Sequence, residues 1–351
     1  MPSERRPRLT PAIADVRRAV RGALAPRGLD TPRAATRPPL LLVALSGGPD
    51  SLALAAGAAF EAPRAGWRAG AVVVDHGLQP GSAEIADAAA AVARDLGLDP
   101  VLVERVEAGA APGGAGPEGA ARAARYAALD AAARAAGAEV VLLGHTLDDQ
   151  AETVLLGLAR GSGSASLGGM AARSGRYARP LLGIRRATTR QACLDAGLEP
   201  WDDPHNRDHA YARVRVREHV LPVLEAELGP GVAEALARTA EQLREDEQAF
   251  ADQIDEFIEE ICEPAEAGIA VSTAALAANP AALRQRIIRH VVGSEFGVSL
   301  SRAQTLEVAR LVTDWHGQGP IDLPRGIRAT RAGAHLVLST TGSTELLPHD
   351  H

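Results

Sequence analysis

An apolar run that stops at a Ser-Gly-Gly turn constrains this chain more than any other feature. The run, Leu40–Leu45, contains no polar residue, which is typical of a strand buried on both faces of a sheet. A helical pattern follows the turn, whose residues are Ser46, Gly47, Gly48, Pro49, Asp50 and Ser51. Adjacent glycines allow a sharp turn, and a helix that begins there adds free N–H groups and the positive end of its dipole. The combination predicts a binding site for an anion, most often a phosphate.

The turn is not a Walker phosphate-binding loop. That loop requires the motif Gly-x-x-x-x-Gly-Lys-Ser/Thr, and the sequence contains no lysine at all. A Gly-Gly pair by itself could equally be a structural turn. The strand before the pair and the helix after it favour phosphate binding.

Strand-like and helix-like patterns alternate through the first part of the chain. After Leu40–Leu45, strands are predicted at 69–74, 100–106 and 140–144, with helices at 51–60, 82–96, 118–136 and 148–160. This alternation predicts an α/β domain with an open parallel sheet and helices on both faces. The polar motifs follow the first, second and fourth strands, at the carboxyl ends where open α/β sheets bind ligands.

The length of 351 residues is sufficient for two domains. We place the boundary near Arg217, with a catalytic domain at 1–217 whose first 39 residues form a helix and a linker. The remainder, 218–351, is predicted to be a smaller, mainly helical domain with a strand-like end at 335–338 and a short disordered tail. Its arginines could contact RNA phosphates or merely solvate the surface. The candidates are Arg284, Arg286, Arg289, Arg325, Arg328 and Arg331.

Composition argues against several classes of protein. No apolar run approaches the roughly 18–20 residues that span a membrane. A hydrophobic content of 46% with 23% charged residues is typical of a globular protein. The two cysteines, Cys193 and Cys262, lie far apart, which argues against a disulfide scaffold and a Cys-x-x-Cys site. We therefore expect a cytoplasmic protein with no membrane partner.

Charge is unevenly distributed around a net value of −7. The segment 158–190 has no Asp or Glu but contains Arg160, Arg173, Arg176, Arg179, Arg185, Arg186 and Arg190. The segment 241–266 is densely acidic, with Arg244 as its only basic residue. Each run could be an ordinary solvated face. Together they would attract an anionic partner to one side and repel it from the other.

A second polar motif follows the fourth predicted strand and contains His145, Asp148, Asp149 and Glu152. Asp148 and Glu152 are four residues apart and therefore share one face of a helix. Carboxylates at a helix N-terminus often serve only the helix dipole, and that alternative stays open. At the edge that carries the phosphate loop, these carboxylates could hold Mg²⁺ on a triphosphate or the ammonium group of a substrate.

These motifs carry a family resemblance. The turn at 46–51 resembles the pyrophosphate loop of the N-type ATP pyrophosphatases (PP-loop enzymes), and five further stretches are similar to one branch of that family, the tRNA(Ile)-lysidine synthetases. The stretches are Val74-Asp75-His76-Gly77-Leu78; Ala121-Arg122 with Arg125-Tyr126; Gly144-His145 with 148–153; Arg160-Gly161-Ser162-Gly163; and Asp203-Pro204 with Asn206, Arg213, Arg215 and Arg217. Val214 departs from the pattern, since the family often has Asn between these arginines.

The resemblance implies a two-step reaction on tRNA(Ile) with a CAU anticodon. ATP, accompanied by Mg²⁺, adenylates the oxygen on carbon 2 of the wobble cytidine and releases pyrophosphate. The ε-amine of free L-lysine then displaces AMP and forms lysidine. Because the protein has no lysine of its own, the attacking amine must come from a substrate. A homodimer is compatible with the sequence.

The resemblance also implies roles for individual residues. The catalytic residues are Asp50, Arg122, Asp148 and Glu152. ATP is bound by Ser46, Gly47, Gly48, Pro49, Asp50, Ser51, Asp75 and His76, and the metal by Asp50 and Asp148. Lysine and tRNA are bound by Arg125, His145, Asp148, Asp149, Glu152, Asn206, Arg213, Arg215 and Arg217. On a helix the last three arginines spread around the axis, so not all of them can face one ligand.

Two alternatives remain open. A related tRNA thiolase would need reactive cysteines or an iron–sulfur cluster, and Cys193 and Cys262 form no such motif. A non-catalytic tRNA-binding protein would carry a vestigial nucleotide site. The intact phosphate loop and the Asp148–Glu152 pair favour the enzyme over both.

Overall fold

The computed structural model describes residues 9–25, 37–75, 77, 81–106, 117–161, 163–265 and 267–340. The predicted tail, most of the predicted linker and the candidate site residue His76 lie outside the described residues. The chain forms two compact units, Met1–Arg244 and Glu245–His351.

The division between the units lies farther along the chain than the predicted boundary near Arg217. The reason is the packing of the segment that follows this arginine. Leu221 and Ala233 are buried in one cluster with Leu147 and Ala151, so this segment belongs to the first unit. The contacts between residues thus divide the chain after Arg244, and the domain boundary near Arg217 stays a prediction.

The first unit is built on a six-stranded sheet with the order β3-β2-β1-β4-β6-β5. The strands are β1 (Leu40–Leu45), β2 (Arg68–Asp75), β3 (Val101–Arg105), β4 (Ala138–Leu142), β5 (Arg173–Ser174) and β6 (Tyr177–Ala178). All neighbouring pairs are parallel except β5 with β6. The predicted parallel α/β sheet is confirmed. The short hairpin at its edge was not predicted, because two-residue strands leave no period to detect.

Helices cover both faces of this sheet. They are α1 (Pro11–Leu24), α2 (Pro49–Glu61), α3 (Ser82–Asp95), α4 (Pro117–Ala136), α5 (Leu147–Ala159), α6 (Ser164–Leu167), α7 (Arg186–Asp195), α8 (Ala212–Arg215), α9 (Leu221–Leu228) and α10 (Val232–Ile261). A π-helical turn, Val216–Val220, joins α8 to α9, so the long helix predicted at 212–228 is confirmed with one irregular turn. The boundary between the units falls within α10.

Strand β1 is buried on both faces, as its unbroken apolar run predicted. Leu41 and Val43 lie in a core with residues of α1, α2, α3 and α7. Leu40 and Leu42 point the other way, into a core with residues of α4. Because a central strand is held from both sides, the loop at its carboxyl end has a well-defined position.

The second unit combines helices with a five-stranded antiparallel sheet of order β7-β8-β11-β10-β9. Its elements after α10 are β7 (Cys262–Ala265), β8 (Gly268–Ser272), α11 (Thr273–Ala278), α12 (Ala281–Phe296), α13 (Arg302–Thr313), β9 (Ile321–Leu323), β10 (Ile327–Ala332) and β11 (His335–Thr340). The strand-like end at 335–338 is confirmed as β11. The other four strands were not predicted, because strands of three to six residues are too short to show a clear period.

Among the helices in the described part of the chain, none has both the length and the apolar character needed to cross a membrane.

Candidate active site

The phosphate loop lies between β1 and α2, at the carboxyl edge of the sheet. Gly47 has a φ of +79°, in the left-handed region that glycine adopts without strain. Ser51 Oγ donates to the Gly48 carbonyl at 3.0 Å and accepts from the Ser46 N–H at 3.2 Å, which closes the loop. Gly48 is the N-cap residue of α2, and its lack of a side chain leaves the first amides of the helix accessible. This geometry suits a phosphate group.

Two later segments hold the loop in place. The Trp201 N–H donates to the Gly47 carbonyl at 3.0 Å. At Gly144, between β4 and α5, an added Cβ would lie 3.1 Å from the backbone nitrogen of Ser51 and 3.2 Å from the carbonyl carbon of Asp50. A residue without a side chain is therefore required where this turn approaches the loop.

A cavity of about 340 Å³, the nucleotide cavity, lies beside the loop at the ends of β1 and β2. Its polar lining includes Ser46, Asp75, Ser82, Arg125, Asp203 and Asn206, and its apolar lining includes Ala44, Val72, Val74, Ile85, Leu129 and Trp201. The Asp75 carboxylate accepts from the Gly77 N–H at 3.0 Å, and burial lowers the pKa of the Arg125 guanidinium. Three predicted site residues, Asp75, Arg125 and Asn206, thus line one cavity of a size and polarity suited to a nucleotide.

The second polar motif opens α5. Thr146 is the N-cap residue, and its N–H and hydroxyl both donate to Asp149 Oδ2 at 2.8 Å, which completes a capping box. Asp149 therefore has the capping role that the sequence left open. Its other oxygen, Oδ1, accepts from Arg186 Nη2 at 2.7 Å. Glu152, one turn further along, is fully buried.

Two arginines neutralise the buried Glu152. Arg217 donates to it through Nε at 2.8 Å and Nη2 at 3.1 Å. Arg186 donates through Nη1 and Nη2, both at 3.2 Å. Arg213 Nε lies 3.8 Å from the same carboxylate. Since a buried charge is tolerated only when it is paired and hydrogen-bonded, Glu152 depends on these arginines.

Arg186, the first residue of α7, is the site residue that sequence reasoning missed. Its guanidinium reaches Asp149 and Glu152 of α5, and its Nε lies 3.7 Å from Asp50 Oδ2 in the phosphate loop. Its backbone N–H donates to Asp148 Oδ2 at 2.7 Å. The only sequence signal for it was its place in the acid-free basic segment 158–190. We call the set Asp50, Asp149, Glu152, Arg186 and Arg217 the acidic network.

Burial and the neighbouring charges shift the pKa values of residues in the acidic network. Burial raises the pKa of Asp50 to about 6, against the opposing effects of a hydrogen bond from Thr189 and the charge of Arg186. Burial would also raise the pKa of Asp149, but the charge of Arg186 and the Thr146 hydrogen bonds hold it below its ordinary value. Although burial alone would lower the pKa of Arg186, the carboxylates around it raise that pKa.

A second cavity of about 220 Å³, the charged cavity, lies beside Glu152. It is lined by Asp148, Glu152, Arg185, Arg186, Arg217, Leu221, Pro222, Glu225 and Ala233. The Arg185 guanidinium sits among three carboxylates at 3.6–3.7 Å, those of Asp148, Glu225 and Glu234. Carboxylates and guanidinium groups in one small cavity suit a ligand that carries both charges.

The three predicted arginines of the long helix do not share one target. Arg213 and Arg217 point toward Glu152. Arg215 turns away and donates to the carbonyls of His209 and Ala210 at 2.6 and 2.8 Å. The prediction that not all three can face one ligand is confirmed. The π-helical turn within this helix precedes Pro222, which lacks the N–H needed to continue the α-helical pattern.

His145 and Arg122 lie near one another at the end of the sheet. Burial lowers the pKa of His145 to about 4, and the nearby positive charges of Arg125 and Arg122 act in the same direction. His145 Nδ1 is buried with no hydrogen-bond partner among the described residues. Arg122 is exposed, with its guanidinium carbon 5.1 Å from the ring centre of Tyr126. It is therefore accessible to a bound polyanion.

Comparison with known proteins identifies two family domains. A PP-loop domain matches residues 27–224, and a TilS substrate binding domain matches residues 272–335. The first match contains the phosphate loop, the nucleotide cavity and the acidic network. The second match lies within the second compact unit.

Curated relatives share most of the chain. The tRNA(Ile)-lysidine synthase of Leifsonia xyli subsp. xyli is 68% identical over 293 residues, which are 83% of this chain and 87% of the relative. The tRNA(Ile)-lysidine synthase of Thermobifida fusca is 51% identical over 333 residues, 94% of this chain and 98% of the relative.

A solved structure shares the fold of this chain. The U34-tRNA thiolase NcsA from Methanococcus maripaludis, determined with its [4Fe-4S] cluster, aligns with a TM-score of 0.54 at 19% identity, covering 67% of this chain and 80% of that chain. At this identity the likeness concerns only the fold.

Proposed function

The chain belongs to the tRNA(Ile)-lysidine synthase family, and we propose on this premise that it joins lysine to carbon 2 of the wobble cytidine in the CAU anticodon of tRNA(Ile). One observation carries the proposal. An ion-pair network runs from Asp50, in the phosphate loop beside the nucleotide cavity, through Arg186 to Glu152, which lines the charged cavity. A ligase for two small substrates and one RNA needs two such adjoining cavities.

In the first step ATP occupies the nucleotide cavity. The oxygen on carbon 2 of cytidine attacks the α-phosphorus, and the bond from that phosphorus to the pyrophosphate oxygen breaks. The amides after Gly48 would stabilise the charge on the leaving pyrophosphate. We assign Arg125, which lines the nucleotide cavity, and the exposed Arg122 to contacts with the phosphates or the base.

Mg²⁺ fits the phosphate side of this site. The ion usually keeps several waters and takes one or two carboxylates together with phosphate oxygens. Asp50, whose carboxylate is partly exposed beside the loop, supplies a ligand of that kind. Asp148, the second predicted ligand, faces the charged cavity. When bound, the ion would supply positive charge to the phosphates.

Free lysine would occupy the charged cavity in the second step. We assign an ammonium group of lysine to Asp148, the more accessible of the two motif carboxylates that line this cavity, and the carboxylate of lysine to Arg185. Glu152 receives a different role from the one its motif suggested. Because Arg186 and Arg217 occupy its oxygens, we assign it to hold these arginines rather than to bind lysine or metal.

The second unit is proposed to contact tRNA outside the anticodon. Of the predicted arginines, Arg284 donates to the carbonyls of Leu276 and Asn279, and Arg286 pairs with Glu247 at 2.6 Å, so both serve the unit itself. Arg325 is exposed near the β9–β10 connection, and Arg328 beside it is half-exposed in a solvent-accessible pair with Asp322 at 2.9 Å. These two are the better candidates for phosphate contacts.

A single assay tests the proposed function. Purified protein with ATP, labelled L-lysine and a tRNA(Ile) transcript bearing CAU should release pyrophosphate and incorporate lysine. Omission of the tRNA, or replacement of its wobble cytidine, should abolish both signals. Lysine-independent sulfur transfer would favour a thiolase, and tRNA binding without pyrophosphate release would favour a non-catalytic protein. Either result would contradict the proposal.

Two further properties belong to the same proposal. Because tRNA, ATP and lysine are all cytoplasmic substrates, we place the enzyme in the cytoplasm, which cell fractionation would test.

We also propose that the protein forms a homodimer in solution. Light scattering during gel filtration would measure this directly, and a monomer mass over the working concentration range would contradict it.

A further inference from the structure

Arg186 lines the charged cavity and also reaches the phosphate loop, which borders the nucleotide cavity. Its Nε faces Asp50 at 3.7 Å, on the side of the phosphate loop. Its Nη2 faces Asp149 at 2.7 Å and Glu152 at 3.2 Å, on the side of the charged cavity. A planar guanidinium with five donors can bridge carboxylates in different directions, which a lysine ammonium on a flexible stem cannot do with the same geometry.

We propose that Arg186 is a positioning residue that links the two half-reactions, by fixing Asp50 of the phosphate loop and Asp149 and Glu152 of α5 in one arrangement. The proposal rests on the proposed function, since it assigns adenylation to one cavity and lysine transfer to the other. It adds that the two cavities depend on one side chain. A change at Arg186 therefore affects both steps.

Two neighbours of Arg186 provide matched comparisons. Arg217 pairs with Glu152 and Asp149 at 2.8 and 3.7 Å and, among the described contacts, forms no ion pair with Asp50. Thr189, one turn after Arg186 on α7, donates its hydroxyl to Asp50. Arg217 thus pairs directly only with carboxylates of α5, although its charge also acts on Asp50, whereas Thr189 contacts the phosphate-loop side.

The linkage also has support from the backbone. The Arg186 N–H donates to Asp148 Oδ2 at 2.7 Å, so the start of α7 is tied to the carboxylate assigned to lysine. On the same helix, Cys193 Sγ donates to the Pro49 carbonyl at 3.0 Å, at the first turn of α2. Helix α7 is therefore attached to the phosphate loop and to α5 together, and the Arg186 side chain completes the connection.

The test is to measure the two steps separately in matched variants. Pyrophosphate release without lysine reports adenylation, and the KM for lysine reports the second cavity. Arg186→Lys should slow pyrophosphate release about 100-fold, the cost of misplacing reacting groups by about 1 Å, and should also raise the KM for lysine. Arg217→Lys should raise the KM for lysine and should slow pyrophosphate release much less than Arg186→Lys does. Thr189→Val should slow pyrophosphate release with the KM for lysine unchanged.

The outcomes separate the two proposals. If the wild-type protein incorporates no lysine, the proposed function fails. If the wild type is active but Arg186→Lys affects only one step, or behaves like Arg217→Lys, the positioning role is contradicted. Arg186→Gln, which keeps an NH2 donor group on a shorter and uncharged side chain, serves as a second variant, with thermal melts to confirm folding.

A second experiment leaves Arg186 unchanged, so it tests the proposal even if the Arg186 variants do not fold. Because Arg186 joins the cavities, Asp50→Asn should weaken the binding of labelled lysine in equilibrium dialysis, although Asp50 lies in the phosphate loop. The exposed Asp87→Asn on α3 is the control. Unchanged lysine binding in Asp50→Asn would overturn the linkage.

Discussion

The buried carboxylate of Glu152 accepts a hydrogen bond at 2.8 Å from Nε of Arg217, across a sequence separation of 65 residues. This contact joins the helix of the second polar motif to the long helix that follows α7. It also explains why the segment after Arg217 belongs to the first unit. Removing one partner of such a pair leaves the other as an unpaired buried charge.

We therefore expect Glu152→Gln to destabilise the first unit. The change removes the fully buried one of the two carboxylates that Arg186 and Arg217 share, while Asp149 remains, so we expect a cost of about 3 kcal/mol in the free energy of unfolding, at the lower end for a broken buried pair. Denaturant unfolding monitored by circular dichroism measures this. Glu227→Gln, at an exposed position of α9, is the control. Equal stabilities for the two variants would show that Glu152 is not held as an ion.

Substitutions at the two loop glycines should have different effects. Gly48 has a φ of −72°, which a side chain tolerates, so Gly48→Val should fold but weaken ATP binding at least about tenfold by covering the amides. Gly47 has a φ of +79°, so Gly47→Val should lower stability by about 1–2 kcal/mol. Titration calorimetry and denaturant unfolding distinguish them. Unchanged ATP affinity in Gly48→Val would contradict the loop's role.

Asp148→Asn should leave the fold intact and abolish efficient use of lysine. The amide keeps the shape of the side chain but loses the charge that faces an ammonium group in the charged cavity. We expect the KM for lysine to rise at least about tenfold, measured by lysine incorporation at saturating ATP and tRNA. Asp87→Asn should match the wild type. Near-normal lysidine formation by Asp148→Asn would count decisively against this assignment.

The stability of the protein should depend on pH through His145. Burial lowers the pKa of this residue to about 4, below the ordinary value of about 6.5. Between these values the unfolded state binds more protons, so stability is present above about pH 6.5 and is lost as pH falls toward 4. His145→Gln should reduce this loss by on the order of 1–3 kcal/mol.

The measurement is denaturant unfolding at several pH values across this window. His316→Gln, at an exposed histidine of the second unit, is the control and should keep the wild-type profile. A His145→Gln profile that overlays the wild type would show that the buried imidazole does not set the pH dependence.

Arg325→Gln and Arg328→Gln should weaken tRNA binding without changing ATP binding. Each lost phosphate contact should reduce the slope of log affinity against log salt by about 0.7–0.9. Filter binding at several salt concentrations gives this slope. Arg18→Gln, at a highly exposed arginine of α1, controls for a general loss of positive charge. If all three variants bind tRNA alike, the β9–β10 connection takes no part in recognition.

The sequence by itself determined the features that lie within short windows of the chain. The apolar run of β1, the glycine turn and the pair of carboxylates one turn apart in α5 each depend on neighbouring residues, so the parallel sheet and the phosphate loop followed from their pattern. The family resemblance rested on the same local motifs. That resemblance implied a ligand for each motif carboxylate separately and said nothing of the contacts between the carboxylates and the arginines.

The tertiary structure alone decided which of these residues face a ligand and which face one another. Arg186 reaches Glu152 across 34 residues and lies close to Asp50 in the phosphate loop, and nothing in the local pattern of α7 marks it out from the other arginines of the basic segment. The small sheet of the second unit escaped prediction for a related reason. Its short strands are stabilised by pairing with distant partners, such as β8 with β11, and such pairing depends on packing that no single stretch of sequence contains.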